Sequence, residues 1–321
     1  MRRLPIPALL VSLAVVTSSA FAQTYPVKPV RLVVPYPPGG GTDIIGRVVA
    51  QKLTEAFSQT VVVDNRGGAS GIVGTEIVAK AAPDGYTLLM APSSHVINPS
   101  IYSKLPYDTT RDFAPITLAA SAAILLAAHP SLPVKSVQEL IAYAKSNPRK
   151  INFGSAGNGT VFHLTGELFK RQAGLDMVHV PFKGGGPTIV ALIGGEVVLA
   201  FETMLALSPH IKSGKVRALA VTSAQRSAVM PEVPTTVELG FPGIIAENSY
   251  AFYAPARTTK PVIDRLSSEI VKALRQPDVK ERFLALGTEV VGTTPEALGD
   301  YVTKELAKWS KTAKEAGARV E

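Results

Sequence analysis

The stretch VRLVVPYPPGGGTD, residues 30–43, decides the fold class of this 321-residue chain. Its apolar first half predicts a buried β-strand, and apolar residues at helical spacing from Ile44 to Phe57 predict a helix. Three glycines between them let the backbone turn tightly, and the first N–H groups of the helix have no intrahelical acceptor. Because the helix dipole is positive at this end, the loop predicts a site for a small anion.

A second strand–loop–helix junction has the sequence GSAGNGT, residues 154–160. It lacks the third glycine of a dinucleotide fingerprint and the Gly-Lys-Ser/Thr ending of a phosphate loop. Ser155, Asn158 and Thr160 nevertheless add hydroxyl and amide donors, and Thr160 is a good helix N-cap. His163 lies on the same helix face as Thr160, where it either donates to an anion or packs beneath the loop.

Three further residues near such junctions carry charge. Asp43 is predicted to be the N-cap of its helix and not an acid catalyst. Lys183, in the loop before a helix predicted to begin at Pro187, either supplies charge to a cleft or is a solvated loop lysine. Glu202 ends a predicted strand and would repel an acid, so it suits a hydroxyl, amine or water donor, or a lysine partner.

The remaining sequence alternates strand and helix, which predicts parallel-type sheets flanked by helices. In such sheets ligands bind beyond the carboxyl ends of the strands, where both glycine loops fall. The apolar run 116–128 is predicted to be a strand that crosses between two lobes, no helix is predicted over 93–113, and Trp309 is predicted to pack in the core. Strands are predicted at 61–63, 86–90, 151–153, 178–181, 197–201, 216–221 and 250–253, and helices at 72–82, 137–146, 161–172, 187–193, 262–274, 279–286 and 295–316.

Residues 1–22 have the pattern of a secretory signal, with a basic head, an apolar run too short to span a bilayer and Ala20-Phe21-Ala22 as cleavage site. Net charge is +8, or +6 without Arg2 and Arg3, and a basic surface concentrates acidic solutes. Scattered Lys and Arg and 7% aromatic residues argue against nucleic acid. With no cysteine, disulfides and thiolate metal sites are excluded.

Catalytic patterns are missing from the sequence. There is no Gly-x-Ser-x-Gly elbow and no His-Glu-x-x-His, and the five histidines lack metal-ligand spacing. The sequence therefore predicts a receptor without catalysis, metal or cofactor. Two alternatives stay open: an exported serine hydrolase of small esters or amides using Ser155 or Ser70 with a histidine base, and a structural or sensory module without a ligand.

From about residue 25 to the C-terminal helix the chain resembles the Bug-type receptors of tripartite tricarboxylate transporters, bacterial periplasmic solute-binding proteins. The resemblance rests on ordered matches along the chain rather than on one motif. They are residues 35–43, DNR 64–66, VAKAAPDGYTLL 78–89, INP 97–99, LPYD 105–108, 154–164, VPFKG 180–184, HIKSGKVRALAVT 210–222 and APA 254–256.

The resemblance implies a two-lobed, type II Venus-flytrap fold in the periplasm, with the signal cleaved after Ala22. We expect lobe I to comprise residues 23–123 and 247–321, and lobe II residues 124–246. The implied partners are a small carboxylate, taken by both glycine loops from opposite sides, and a membrane permease or a sensor; a monomer is expected. The expected ligand-binding residues are Tyr36, Pro38, Gly39, Gly40, Thr42, Asp43, Ser93, Ser155, Ala156, Gly157, Asn158, Gly159, Thr160, His163, Lys183, Gly184 and Glu202.

Four positions depart from the pattern of that family. Glu202 stands where the family usually has aspartate, and Phe182 where it has tyrosine. Ser249 and Ala251 replace a usual tryptophan and glycine. These changes affect pocket size, so the ligand class, including an aromatic acid, stays open.

Overall fold

Strands and helices alternate through residues 25–315, which the computed structural model of the protein describes. The signal predicted for residues 1–22 lies outside this range. The first elements along the chain are β1 (Val30–Val34), α1 (Gly41–Phe57), β2 (Val61–Asn65), a 3-10 turn (Ala69–Gly71), α2 (Ile72–Ala79), β3 (Thr87–Pro92) and α3 (Ser94–Ile101).

A long strand then leads into a second alternating set, and the chain ends in helices. The second set comprises β4 (Phe113–Ala128), α4 (Val137–Ser146), β5 (Asn152–Ser155), α5 (Val161–Ala173), β6 (Val178–Pro181), α6 (Gly185–Gly194), β7 (Leu199–Thr203), α7 (Met204–Lys212) and β8 (Arg217–Val221). The last elements are β9 (Glu247–Pro255), α8 (Lys260–Arg275), α9 (Pro277–Ala285), β10 (Thr288–Val290) and α10 (Pro295–Glu315).

The strands form a mixed sheet in the order β2-β1-β3-β9-β4-β7-β5-β6, with β8 and β10 also paired to β4. Strand β1 is parallel to β2 and β3, and β5 is parallel to β6 and β7, which confirms the two parallel sets predicted from the alternation. The strands that join these sets, β4 and β9, run antiparallel to their neighbours.

Strand β4 belongs to both halves of the molecule, as the apolar run predicted. Its residues from Phe113 to Ala123 pair with β9, and those from Ile124 to Ala128 pair with β7. Below, the first lobe means β1–β3, β9, β10 and the start of β4 with their helices. The second lobe means β5–β8 and the end of β4 with theirs.

The chain returns to the first lobe beside β4, and Thr222 joins the two crossing segments. Its backbone N–H donates to the Ile124 carbonyl (2.9 Å), and its hydroxyl lies 3.2 Å from both the Ile124 nitrogen and carbonyl oxygen. The same hydroxyl lies 2.5 Å from the carbonyl oxygen of Ala246, whose N–H in turn donates to the Thr222 carbonyl (3.1 Å). Thr222 has no solvent exposure, so these bonds form a buried link between the segments that connect the lobes.

Helices α3 and α7 and the short strand β10 were not predicted from the sequence. Each of the two helices contains a proline, Pro99 in α3 and Pro209 in α7, which interrupts the apolar period. Tertiary packing outweighs this weak local preference: α3 packs against α10, and α7 against β4. The predicted start of α6 at Pro187 is also wrong, because the helix begins at Gly185 after Gly184 as N-cap.

Trp309 packs in the core, as predicted, and its indole N–H donates to the Glu305 carboxylate (2.7 Å). Ser136 caps α4 by accepting the Glu139 N–H (3.1 Å). No helix within residues 25–315 has an apolar stretch long enough to cross a bilayer.

The buried side chain of His95 in the first lobe makes the stability of the folded protein depend on pH. It is buried among Tyr107, Phe113 and Tyr253, its ring nitrogens have no partner in the described chain, and burial lowers its pKa to about 3. The unfolded chain therefore takes up a proton below pH 6.5 that the folded chain does not, and stability falls as pH falls towards 3.

We expect His95→Phe to remove this loss. Relative to wild type, its free energy of unfolding should rise by about 2 kcal/mol between pH 7 and pH 5. Urea denaturation of both proteins at the two pH values measures the difference. An equal difference at both pH values would contradict the account.

Candidate functional site

The loop before α1 in the first lobe touches the start of α6 in the second lobe across a cleft. A Cβ added at Gly40 would lie 3.4 Å from the Gly185 Cα and the Gly186 nitrogen. Nearby, the Ser70 hydroxyl donates to the Asn158 carbonyl (2.5 Å) from the opposite lobe. The cleft is therefore closed at its rim.

Behind this rim lies a cavity of about 20 Å³, lined by the first residues of four helices. Gly41 and Thr42 begin α1, Ser94 begins α3, Val161 and Phe162 begin α5, and Gly185 begins α6. The volume holds about one water molecule, so a larger guest requires the lobes to move apart. The other lining residues are Tyr36, Gly40, Pro92, Ala156, Thr160, Glu202 and Asn248.

The helix starts make this cavity a site for negative charge. N–H groups in a first turn have no intrahelical acceptor, and those of Gly41, Thr42, Val161, Phe162 and Gly185 find none elsewhere in residues 25–315. Four positive dipole ends converge there, while the lining contains no lysine, arginine or histidine. An anion would therefore be held by peptide N–H groups and hydroxyls.

The glycine loops themselves have fewer free N–H groups than their composition suggests. The Gly39 N–H donates to Asp43 Oδ2 (3.1 Å), and that of Gly159 to His163 Nδ1 (3.1 Å). The Gly157 N–H points to the Ser155 hydroxyl (3.3 Å). Each loop is thus held in shape by its own side chains, and the N–H groups at the helix starts are left for a ligand.

Asp43 is not the N-cap of α1, so that prediction is wrong. The cap position is Gly40, and Asp43 is the third helical residue. Its buried carboxylate accepts from the Gly39 N–H, from Asn65 Nδ2 (2.9 Å) and from Arg47 Nε (2.9 Å). The side chain reaches back to stabilise the loop, as the acidic residue of a capping box does.

Ser155 and His179 form the hydrogen-bonded pair that a hydrolase would need, at 2.7 Å between Oγ and Nε2. Ser155 has no solvent exposure, and burial lowers the pKa of His179 to about 3, so the ring is a weak base. His179 stacks on His163 with ring centroids 4.1 Å apart. The described residues place no carboxylate against either ring nitrogen of His179, and His163 packs beneath the loop.

Glu202 is a buried carboxyl group at the cavity wall, with 1% of its surface exposed. Its Oε1 accepts from the Thr203 N–H (2.8 Å) and hydroxyl (3.2 Å), whereas Oε2 has no partner in residues 25–315. Burial raises its pKa to about 7, although the Thr203 hydrogen bonds act in the opposite direction.

The structure brings some of the predicted ligand residues to the cavity and leaves others outside it. Those at the cavity are Tyr36, Gly40, Thr42, Ala156, Thr160 and Glu202. Gly157, Asn158 and Lys183 line a separate outer groove, Pro38 and Gly39 line another, and Ser93 is buried against Ser249 (3.0 Å between hydroxyls). Gly184 packs on Pro37, and Ser155, Gly159 and His163 support the second loop. Their roles in binding stay predictions.

Several lining residues were not predicted. Gly41, Ser94 and Gly185 adjoin predicted residues and could have been found by extending each loop into its helix. Asn248 comes from β9, far along the chain, and no local pattern marks it. The other unpredicted residues are Pro92, Val161 and Phe162.

Comparison with known proteins agrees with this geometry. The profile of the tripartite tricarboxylate transporter family receptor matches residues 45–318. Protein BugT of Bordetella pertussis (strain Tohama I) is 37% identical over 321 residues, covering 99% of this chain and 98% of BugT. The solved structure of the periplasmic binding protein BugD has a TM-score of 0.90 at 35% identity, covering 92% of this chain and 100% of BugD.

A second solved structure, of R. palustris Rpa4515 with adipate, has a TM-score of 0.89 at 35% identity. It covers 92% of this chain and 100% of that protein. The likeness in sequence and in three dimensions thus extends over nearly the whole molecule, both lobes and the cleft included. This two-lobed α/β chain belongs to the tripartite tricarboxylate transporter receptor family.

Proposed function

We propose that the protein binds a small carboxylate in the cleft between its lobes and passes it to a membrane permease or a sensor. The observation that carries this proposal is the convergence of four helix N-termini on one cavity without a basic side chain. Adipate in the related Rpa4515 supports a carboxylate as the guest. Each N–H to carboxylate hydrogen bond contributes about 1.5–3 kcal/mol.

In this proposal the ligand enters an open cleft and is enclosed as the lobes approach. The first lobe supplies the N–H groups of Gly41 and Thr42, and the second those of Val161, Phe162 and Gly185. Because the ligand contacts both lobes only when they are close, it shifts the equilibrium towards the closed form. We place the lobe boundaries at 123/124 and 246/247, which the change of β4 partners at Ile124 supports.

The proposal includes a periplasmic, monomeric receptor without catalysis, released from its signal after Ala22. The family and the periplasmic neighbour BugD support the compartment. The hydrolase alternative receives no support from these comparisons, and the buried Ser155 and weakly basic His179 do not favour it.

A thermal-shift screen tests the proposal. The panel comprises adipate, malate, citrate and benzoate, with adipamide as the uncharged match for adipate. A ligand at about a hundred times its Kd should stabilise the protein by about 2.7 kcal/mol. We expect at least one acid to raise the melting temperature and adipamide not to. If no acid does so, the proposal fails.

Thr160→Val is expected to weaken carboxylate binding several-fold. The Thr160 hydroxyl caps α5 by accepting the His163 N–H (3.4 Å) and donates to the Gly157 carbonyl (2.8 Å). Its loss should cost about 1 kcal/mol of stability and loosen the helix start that faces the ligand. Calorimetric titration with the best acid of the screen measures the change.

Ser136→Ala is the matched control, because Ser136 caps α4 away from the cleft. It should cost similar stability and leave the Kd unchanged. Equal effects of both variants on binding would show that the Thr160 cap acts only through general stability.

A further inference from the structure

The Glu202 carboxyl group has one satisfied oxygen and one unsatisfied oxygen. Oε1 accepts two hydrogen bonds from Thr203, while Oε2 has no partner in the described chain. A Cβ added at Gly185 would lie 2.6 Å from Oε2, which places this oxygen beside the start of α6, at the cavity wall. An unpaired buried charge is strongly unfavourable. A neutral group with its proton on Oε2 avoids that cost, because Oε1 already accepts.

The groups around Glu202 offer no cation to keep it ionised. The titratable side chains that face it are Tyr36, after β1, and Tyr250 of β9, and burial raises the pKa of both so that they stay neutral. Asp43 of α1 is engaged by Arg47, and His95 of α3 lies in the aromatic cluster.

The other elements at the cavity contribute no charge either. Helices α5 and α6 line it with Val161, Phe162 and Gly185, and β4 pairs Leu125 with Glu202. His163 of α5 is bonded to Gly159. The effect of burial on Glu202 therefore outweighs the effect of the hydrogen bonds from Thr203, and the pKa of Glu202 rises to about 7.

We propose that Glu202 recognises the ligand as a neutral acid, its Oε2–H donating a hydrogen bond to a carboxylate oxygen that the helix N-termini hold. The inference rests on the function proposed above and narrows its ligand class. Glu202 then adds a donor to the N–H groups of the helix starts, so the site selects a carboxylate over an ammonium or a neutral amide. This role is the opposite of the acceptor role expected from the sequence.

Proton uptake follows from this role. Above pH 7 Glu202 loses its proton in the closed, ligand-free protein, and a carboxylate ligand restores it, because two adjacent anions repel each other. Binding then takes up one proton from solvent, which balances the charge in the cavity. The Kd should rise about tenfold per pH unit above pH 7.

Calorimetric titration at about pH 6 and about pH 8 tests the proposed proton uptake. Buffers with different heats of ionisation give the number of protons taken up per ligand bound. The probe is adipate, or the panel acid that stabilises the protein most. Wild type should take up close to one proton at the higher pH and bind about tenfold more weakly there. Glu202→Gln should abolish both effects, whereas Glu196→Gln, an exposed carboxylate outside the cavity, should retain them.

The outcomes separate this inference from the proposed function. Binding to wild type without proton uptake, or uptake that persists in Glu202→Gln, overturns the role of Glu202 and leaves the carboxylate receptor standing. Stronger binding at the higher pH would also overturn it, because it would indicate that binding releases a proton and does not take one up. Failure of every acid to bind overturns the proposed function and this inference together.

Discussion

Gly186→Ala is expected to weaken ligand binding by about tenfold to a hundredfold while the protein stays folded. Gly186 is the second residue of α6 and is not among the glycines with positive φ, although Pro187 after it makes a helical alanine at this position somewhat less favourable. An added Cβ would lie closer than 3.0 Å to the Pro38 carbonyl oxygen across the cleft, a separation that real Cβ atoms essentially never show. The clash of the methyl group with Pro38 therefore arises only when the lobes are closed.

Small-angle scattering with and without the best carboxylate of the screen, together with calorimetric titration, measures this effect. The wild-type protein should become more compact on binding, whereas the Gly186→Ala protein should keep its lobes open. Gly194→Ala is the control on the same helix, because a Cβ there meets nothing within 4 Å. If Gly186→Ala bound and closed like wild type, the closed contact seen here would not be part of the liganded state.

Thr222→Val is expected to lower the free energy of unfolding by about 2–4 kcal/mol. The substitution keeps the shape of the side chain but removes the hydroxyl. The Ile124 N–H and the Ala246 carbonyl, both within 3.2 Å of that hydroxyl, would lose this partner inside the protein. Each buried polar group left unsatisfied costs about 1–3 kcal/mol.

Urea denaturation measures the loss, and Thr222→Ser is the matched variant because it keeps the hydroxyl. The serine protein should retain most of the stability, since it loses only a methyl group of about 1 kcal/mol. Equal losses in both variants would assign the effect to packing and contradict a hydrogen-bonded link between the lobes.

Much of the fold was accessible from local patterns. Strand β1 and helix α1 followed from the apolar run at Val30 and the helical spacing after Ile44, and β4 from one long apolar run. Helices α3 and α7 could not be predicted from local patterns. Each contains a proline and forms only because tertiary packing favours it.

The site was predicted less completely than the fold. The glycine loops correctly marked the edge of each lobe that faces the cleft, because a glycine-rich stretch can be recognised from the local sequence. Which N–H groups remain free depends on side chains that reach back, as Asp43 does to Gly39 and His163 to Gly159. Asn248 and Tyr250 come from β9, and only the folded sheet brings them to the cavity wall or beside it.

The role of Glu202 also depends on three-dimensional context. The sequence placed a carboxylate at a strand end, where an ionised group would repel an acid. Only burial and the unpartnered Oε2 show that the group is kept close to neutrality. The sequence alone thus does not give the charge of a side chain whose protonation state is determined by desolvation.

A crystal structure of the protein with the best carboxylate of the screen tests the central claim most directly. We predict that carboxylate oxygens lie within hydrogen-bond distance of the Gly41 or Thr42 N–H on one side and the Val161 or Phe162 N–H on the other. Density for the acid away from these helix starts, or held by lysine or arginine side chains, would contradict the account.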